Sequence, residues 1–335
     1  MGGDKRSLRT RYKTFRKRLL SMMPFIRRSR HERIVARVDR YLRLERKSNE
    51  MFGFLFFAPP ARADSARHTV VVPLRAHVTD ELCIFVTHAA APQLKAHVVD
   101  HVMALCDLGV EVLLVVNTHL EPGVIDIPAT MKCRLYGGMI RRNIGFDFAA
   151  WAHGYALIDP QAVRRRLYLI NDSIVGPLDD EAYQLLLRRI RDSSADFLGL
   201  TCNPDSHEHL QSFYLVFNEA LLHSPVFDGF MRNVVNMPSK QTVVDTYEIW
   251  LTPFLVRQGF SGEAMFPNLS REPAPRRDES LYNWRQLVAA GFPFVKAKVL
   301  TESPEAEEAR GLLPERYRSM STGMKSIQQH KKTSS

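Results

Sequence analysis

The 335-residue chain contains no apolar run approaching the 18 residues that a membrane-spanning helix needs, so no such span is expected. Cysteine is scarce. Cys83, Cys106, Cys133 and Cys202 show no pairing spacing; three fall in apolar, strand-like runs and Cys106 in a helical one. Buried reduced thiols in a cytoplasmic protein are the simplest account. No G-x-G-x-x-G and no G-x-x-x-x-G-K-[ST] occurs, which removes support for a dinucleotide fold and for a P-loop. C-x-x-C, H-E-x-x-H and internal repeats are also missing. The stretch "MFGFLFFAPPARADSA" (51–66) mimics a secretory leader, but it starts late and its apolar core is short, so it reads as a buried strand or loop.

What is present begins with charge. Residues 1–50 carry 17 Lys or Arg against 5 Asp or Glu, a net of +12, while the rest carries 29 against 31, a net of −2. The basicity therefore belongs to an N-terminal arm on a near-neutral body. Such an arm attracts polyanions, with nucleic acid and an anionic membrane surface as the two candidates. "KRSLRTRYKTFRKRLLSMMPFIRRSR" interleaves Leu, Phe, Met and Ile with the charges, which suits lipid headgroups better than a bare phosphate lattice. A solvated tail is the plain alternative. Over 33–46, Ile34, Val38, Tyr41 and Leu42 share one face at helical spacing, as in an amphipathic helix folded back on the body.

From residue 66 onward short apolar runs alternate with longer amphipathic ones. Strands are expected at 82–88, 110–118, 132–138, 166–172 and 196–201, and helices at 92–107, 146–158 and 180–192. Residues 283–300 read as a helix followed by a strand, 271–280 as an exposed loop, and the chain from about 315 as a polar tail. The alternation predicts an α/β fold with a mostly parallel central sheet and helices on both faces. Ligands in such folds sit at the carboxyl ends of the strands. His88, Asn117, Gly137, Asn171 and Asp172 are all expected at such ends.

"YLINDSIVGPL" (168–178) then raises a question, because a buried strand ends on Asp172 with an amide and a hydroxyl beside it, Asn171 and Ser173. Asp172 is either a ligand contact or a turn-forming residue before Gly176-Pro177. "RRNIGFDFAAWAHGYAL" (141–157) places Asn143 and Gly145 just before a helix that Asp147 opens. Gly145 allows close backbone approach, and Asp147 either meets a ligand hydroxyl or serves the helix end. His207 and His209 have the spacing of a metal pair in a strand, but no third ligand stands at a clear offset.

"RNIGFDFAAW", "LINDSIVGPL", "DFLGLT", "HLQSFYLVFN", "YEIWLTPFLVRQGF" and "GFPFVKAKVL" occur in this order. Over roughly residues 80–300 the chain resembles the rhamnan-synthesis F family of bacterial glycosyltransferases, similar to family-2 transferases of the GT-A type. The resemblance implies a GT-A-like domain at 66–300 between the arm (1–50) and a polar tail (301–335). It implies an inverting transfer of a sugar, rhamnose or another deoxyhexose, from a nucleotide-sugar donor to a lipid-linked or polysaccharide acceptor in cell-surface polysaccharide synthesis. It places the protein in the cytoplasm, held peripherally at the inner face of the membrane through the arm. Asn143, Gly145, Asp147, Asn171, Asp172 and Ser173 would line the donor site.

GT-A enzymes carry Asp-x-Asp where this chain has Asn171-Asp172-Ser173. Asp172 would meet a divalent cation (Mg or Mn) or the donor ribose, and the missing charge weakens cation binding or removes direct coordination. His209 and Gln211 would contact acceptor or sugar, with a strand-entry role as the alternative for His209. Glu248 would be the general base, with a structural ion pair as its alternative, and Asp245 a cap or first-turn residue. A non-catalytic sugar-binding or scaffold subunit with the same fold competes with the enzyme, favoured by the neutral flanks of Asp172. A nucleic-acid binder ranks last, since the body offers no basic face or aromatic RNA motif.

Overall fold

The structure, a computed structural model, describes residues 61–75, 79–159, 163, 165–203, 208–267 and 278–318. All of them belong to one compact unit, Pro60–Ser335. The basic arm, the helix expected at 33–46, most of 51–66, His207 and the loop residues 271–277 lie outside the described residues.

Eleven strands follow in chain order: β1 (His68–Val72), β2 (Glu81–Ala89), β3 (Glu111–Thr118), β4 (Gly137–Arg142), β5 (Arg166–Asn171), β6 (Ile174–Val175), β7 (Phe197–Asn203), β8 (His209–Leu210), β9 (Tyr214–Asn218), β10 (Gly262–Phe266) and β11 (Val295–Lys296). Nine form one sheet in the order β1-β4-β3-β2-β5-β9-β7-β10 with β8 on β7, and β6 pairs with β11 in a small ribbon. The run β4-β3-β2-β5 is parallel, as expected. Beyond it the sheet is mixed, because β1 and β9 run antiparallel to their neighbours.

The principal helices are α1 (Ala96–Asp107), α2 (Ala129–Lys132), α3 (Phe146–Leu157), α4 (Asp180–Asp192), α5 (Pro225–Arg232) and α6 (Ile249–Arg257). In α4, Tyr183, Leu186, Leu187 and Ile190 make one buried stripe, and Asp179 caps the helix by accepting the Ala182 amide at 2.6 Å. The α4 stripe joins Val98, Val102 and Leu105 of α1 over Phe85, Leu114 and Ile170 of the sheet. The opposite face takes α3, whose residues from Phe148 to Tyr155 are all buried. A Cβ on Gly154 would stand 2.8 Å from Ile84 Cγ2, so glycine lets α3 lie directly on the sheet.

Five expectations change. The third strand runs over Gly137–Arg142 rather than 132–138, because residues 129–132 close a helical turn and Arg141 is a buried charge inside a strand. The loop expected at 271–280 ends in structure: Asp278 ion-pairs with Lys296 at 3.0 Å, and Glu279 and Ser280 are buried. Cys133 is exposed at a helix end, not buried in a strand. Past residue 300 the chain continues as packed helices, Ala306–Gly311 and Glu315–Arg318, with Leu313 and Tyr317 buried against Trp284 and Val299. The strand expected before it shrinks to β11, followed by a helix at Ala297–Glu302. Among the described residues no helix is long and apolar enough to cross a membrane.

Candidate active site

The chain runs from β2 outward through β3 to β4 on one side, then crosses to β5 on the other. The crevice between the ends of β2 and β5 is therefore a topological switch point, where open α/β sheets receive ligands. Val86 and Asn171 are the last residues the two strands pair with each other. Just beyond them, Asp172 reaches across to β2. Its Oδ2 accepts hydrogen bonds from Thr87 Oγ1 at 2.6 Å, the His88 amide at 3.1 Å and Lys95 Nζ at 2.5 Å. Burial pushes the Asp172 pKa up, but the Lys95 charge and these donors outweigh it and hold the carboxyl below its ordinary value.

The local turn is made by Asn171 instead. Its Oδ1 accepts from the Ser173 amide at 3.0 Å and from Ser173 Oγ at 2.6 Å, an Asx-type turn, while its Nδ2 donates to Asp147 Oδ2 at 3.1 Å. The strand thus ends on a carboxylate because Asn171 shapes the turn and Asp172 ties two strand ends together at the mouth of the crevice.

Asp147 lies in the first turn of α3, which begins at Gly145 with no side-chain cap. Burial raises its pKa to about 6; Asp172 and Glu248 push the same way, against Lys240 and Lys95. Two carboxylates and two lysines from other segments thus bear on Asp147. Gly145 and Phe146 are consecutive left-handed residues, with φ of 73° and 59°. The space a Gly145 Cβ would take is filled: Ala149 Cβ and Asn236 Oδ1 would each be 2.5 Å away. Its close approach is to the chain itself. The buried Arg141 braces this corner, donating to Asn117 Oδ1 at 2.9 Å, the Ile144 carbonyl at 3.1 Å and Asn236 Oδ1 at 3.3 Å. Burial lowers its pKa to about 10, which leaves it protonated at neutral pH. Asn143 stands apart, with its amide 3.5 Å from His119 Nε2. Beside His119 is a cleft of 190 Å³ lined in part by Arg67, Thr118, Glu121 and Arg142.

Glu248 ends a π-helical turn, Val244–Glu248, that leads into α6. Its Oε2 accepts from the Ser212 amide at 3.2 Å and, in a very short contact, from Ser212 Oγ. Its Oε1 lies 4.0 Å from Nε2 of the buried His209. The Leu210 amide donates to Thr252 Oγ1 at 3.0 Å, pinning 209–212 to α6. Gln211 has a different role. It is 3% exposed, its Oε1 accepts from Thr201 Oγ1 at 2.6 Å and Ser280 Oγ at 3.2 Å, and its side chain hydrogen-bonds Asp278. That is an internal bridge between β7 and residues 278–280. Of the two readings of Asp245, the first-turn one holds: Ser239 caps the short helix Lys240–Val243, and Asp245 lies in the first turn of the π-helix, accepting from Gln241 Nε2 of that short helix at 3.0 Å.

The residues at Asp172 do not suit a divalent cation. Asp172 Oδ2 is already met by three donors, and the oxygens of Asn171 and Ser173 bond to each other. Among the described residues no group of three His, Cys, Asp or Glu side chains could hold a metal ion. Lys95 and Arg141 escaped sequence reasoning. The signal for Lys95 was its place in the first loop leaving the parallel sheet, where α1 begins.

Residues 115–331 match a family model described as Rhamnan synthesis protein F. Two curated relatives are more distant. The uncharacterized protein y4gN of Sinorhizobium fredii is 28% identical over 132 residues, 38% of this chain and 34% of that protein. The virulence protein VirA of Vibrio anguillarum is 24% identical over 199 residues, 49% of this chain and 62% of that protein. The chain thus spans about a third of one relative and less than two thirds of the other.

Proposed function

Since the chain belongs to the rhamnan-synthesis F family, which ties it to polysaccharide synthesis, we propose that it is a glycosyltransferase acting on a nucleotide-sugar donor. The observation that carries this is Asp172 at the mouth of the switch-point crevice, with Asn171 beside it tied to Asp147 and with Glu248 near enough to bear on Asp147. In this reading Asp172 and Asp147 hold the donor, and Glu248 takes the proton of the acceptor hydroxyl. Ser212 anchors one Glu248 oxygen, which leaves Oε1 to receive the proton. The acceptor oxygen bonds to the anomeric carbon as the bond from that carbon to the diphosphate breaks, a single displacement with inversion.

The sugar is a deoxyhexose such as rhamnose, and the acceptor is lipid-linked or a polysaccharide. The arm of net +12 holds the protein at the anionic inner face of the cytoplasmic membrane. Nucleic acid is not the partner.

One observation favours a second reading, a sugar-binding scaffold without catalysis: the flanks of Asp172 are neutral and tied to each other. A panel of dTDP-, UDP- and GDP-sugars separates the two. The enzyme releases nucleoside diphosphate from at least one of them, accelerated by a sugar acceptor. A protein that binds a nucleotide sugar yet releases none from any would overturn the enzyme reading.

A further inference from the structure

Resting on the transferase reading, we propose that Lys95 is the cation that receives the diphosphate leaving group, in the place a divalent metal would hold. When the sugar leaves the donor, the bonding electron pair passes to a phosphate oxygen, the acceptor oxygen bonds to the sugar, and its proton goes to Glu248. The charge that develops on the phosphate needs a fixed positive partner.

Four observations point to Lys95. Its Nζ sits 2.5 Å from Asp172 Oδ2, at the crevice where β2 and β5 end. An ammonium has three N–H groups, so one held by Asp172 leaves two to donate. The Lys95 side chain is 42% exposed against 16% for Asp172, so the ammonium lies on the open side of the pair. Lys95 is also the N-cap of α1, a helix of 12 residues with no acidic residue in its first turn and no side-chain cap, and the positive end of that helix adds to the same field.

The other basic groups nearby are less suited. Lys240 bears on Asp147, and the pKa of the buried His97 is pushed down by burial to about 4, so it stays neutral. A divalent ion at Asp172 would share the carboxylate with the Lys95 ammonium and would have to find further ligands in Asn171 and Ser173, whose oxygens are engaged with each other.

The test is calorimetric titration of the full chain with dTDP, UDP and GDP, in EDTA and in Mn²⁺. One nucleotide should bind in EDTA about as tightly as in Mn²⁺. Lys95→Met should weaken that binding about 10- to 100-fold in EDTA, the range for one hydrogen bond to a charged group. Lys95→Arg should retain most of it. Melting curves establish that each variant is folded. Binding that needs Mn²⁺ in the wild type, or Lys95→Met binding like wild type in EDTA, would overturn the role of Lys95 and leave the transferase reading standing. If no nucleotide binds under either condition, the transferase reading falls and this inference falls with it.

Discussion

Replacing Glu248 with Gln removes a proton acceptor while preserving shape, and the structure sets the expected size of each effect. A general base contributes about 10²–10⁴-fold to rate, or about 3–5 kcal/mol of barrier. The structural change should be far smaller. Glu248 Oε2 takes two donors from Ser212, and the carbonyl oxygen of Gln can accept the same two. What is lost is the charge assistance of those bonds, about 1 kcal/mol. In a domain of this size that lowers the melting temperature by about 2–4 °C. Glu248→Gln should therefore bind the donor like wild type, melt slightly lower and transfer sugar at least a hundredfold more slowly. Asp245→Asn is the control: it keeps an acceptor for Gln241 Nε2, so its stability should change by about 1 kcal/mol or less and its rate hardly at all. Nucleotide release, donor affinity and melting temperature, measured on both variants, decide the matter. Near-normal turnover in Glu248→Gln, or a dead Asp245→Asn, would refute the assignment of the base.

Asp147, whose folded pKa lies near 6, holds more protons folded than unfolded between about pH 4 and 6, so its contribution to stability falls as pH rises through that window. Asp147→Asn keeps an acceptor for Asn171 Nδ2 and should be more stable than wild type at pH 7, by at most about 3 kcal/mol, with the difference vanishing near pH 4; denaturant titrations giving a constant difference would contradict this. Gly145→Ala meets both a left-handed φ and two neighbours at 2.5 Å, so it should cost about 2–4 kcal/mol by chemical denaturation, and a neutral result would mean Asn236 does not pack there. Deleting residues 1–30 should leave transfer to a small soluble acceptor unchanged while weakening salt-sensitive binding to anionic vesicles, at about 1 kcal/mol per basic residue near the surface; full vesicle binding after deletion would show the anchor lies elsewhere.

Legibility from sequence followed burial. Strands β2, β3 and β5 are covered on both faces, so they appear as unbroken apolar runs, and the parallel core and its polar strand ends could be read directly. β4 was displaced because its last residues are arginines, one of them buried through partners that no local pattern predicts. β1 and β10 are short and partly exposed at the two edges of the sheet, and carried no comparable signal. The carboxylates Asp147, Asp172 and Glu248 were legible as site candidates because each closes or opens an element. Lys95 was not, since it meets Asp172 across 77 residues of chain. Gln211 looked like a site residue because it is polar beside a buried strand, but a polar side chain there can equally be satisfied inward, as Thr201 and Ser280 satisfy it.

The π-turn before α6 has a consequence for insertions and deletions. A π-turn holds one more residue than the α-helical path it replaces, and each α-helical residue turns the chain by about 100°. Removing a single residue between Val244 and Tyr247 would let the helix run on regularly into α6. Because the extra residue is all that is lost, α6 would keep Thr252 on Leu210 and the segment before it would keep its Ser239 cap. A deletion inside α6, between Glu248 and Thr252, has no extra residue to absorb it and would either turn Glu248 by about 100° from Ser212 or take Thr252 off Leu210. The aim of the Glu248 carboxylate therefore tolerates the loss of one residue on its π-turn side and none on its α6 side.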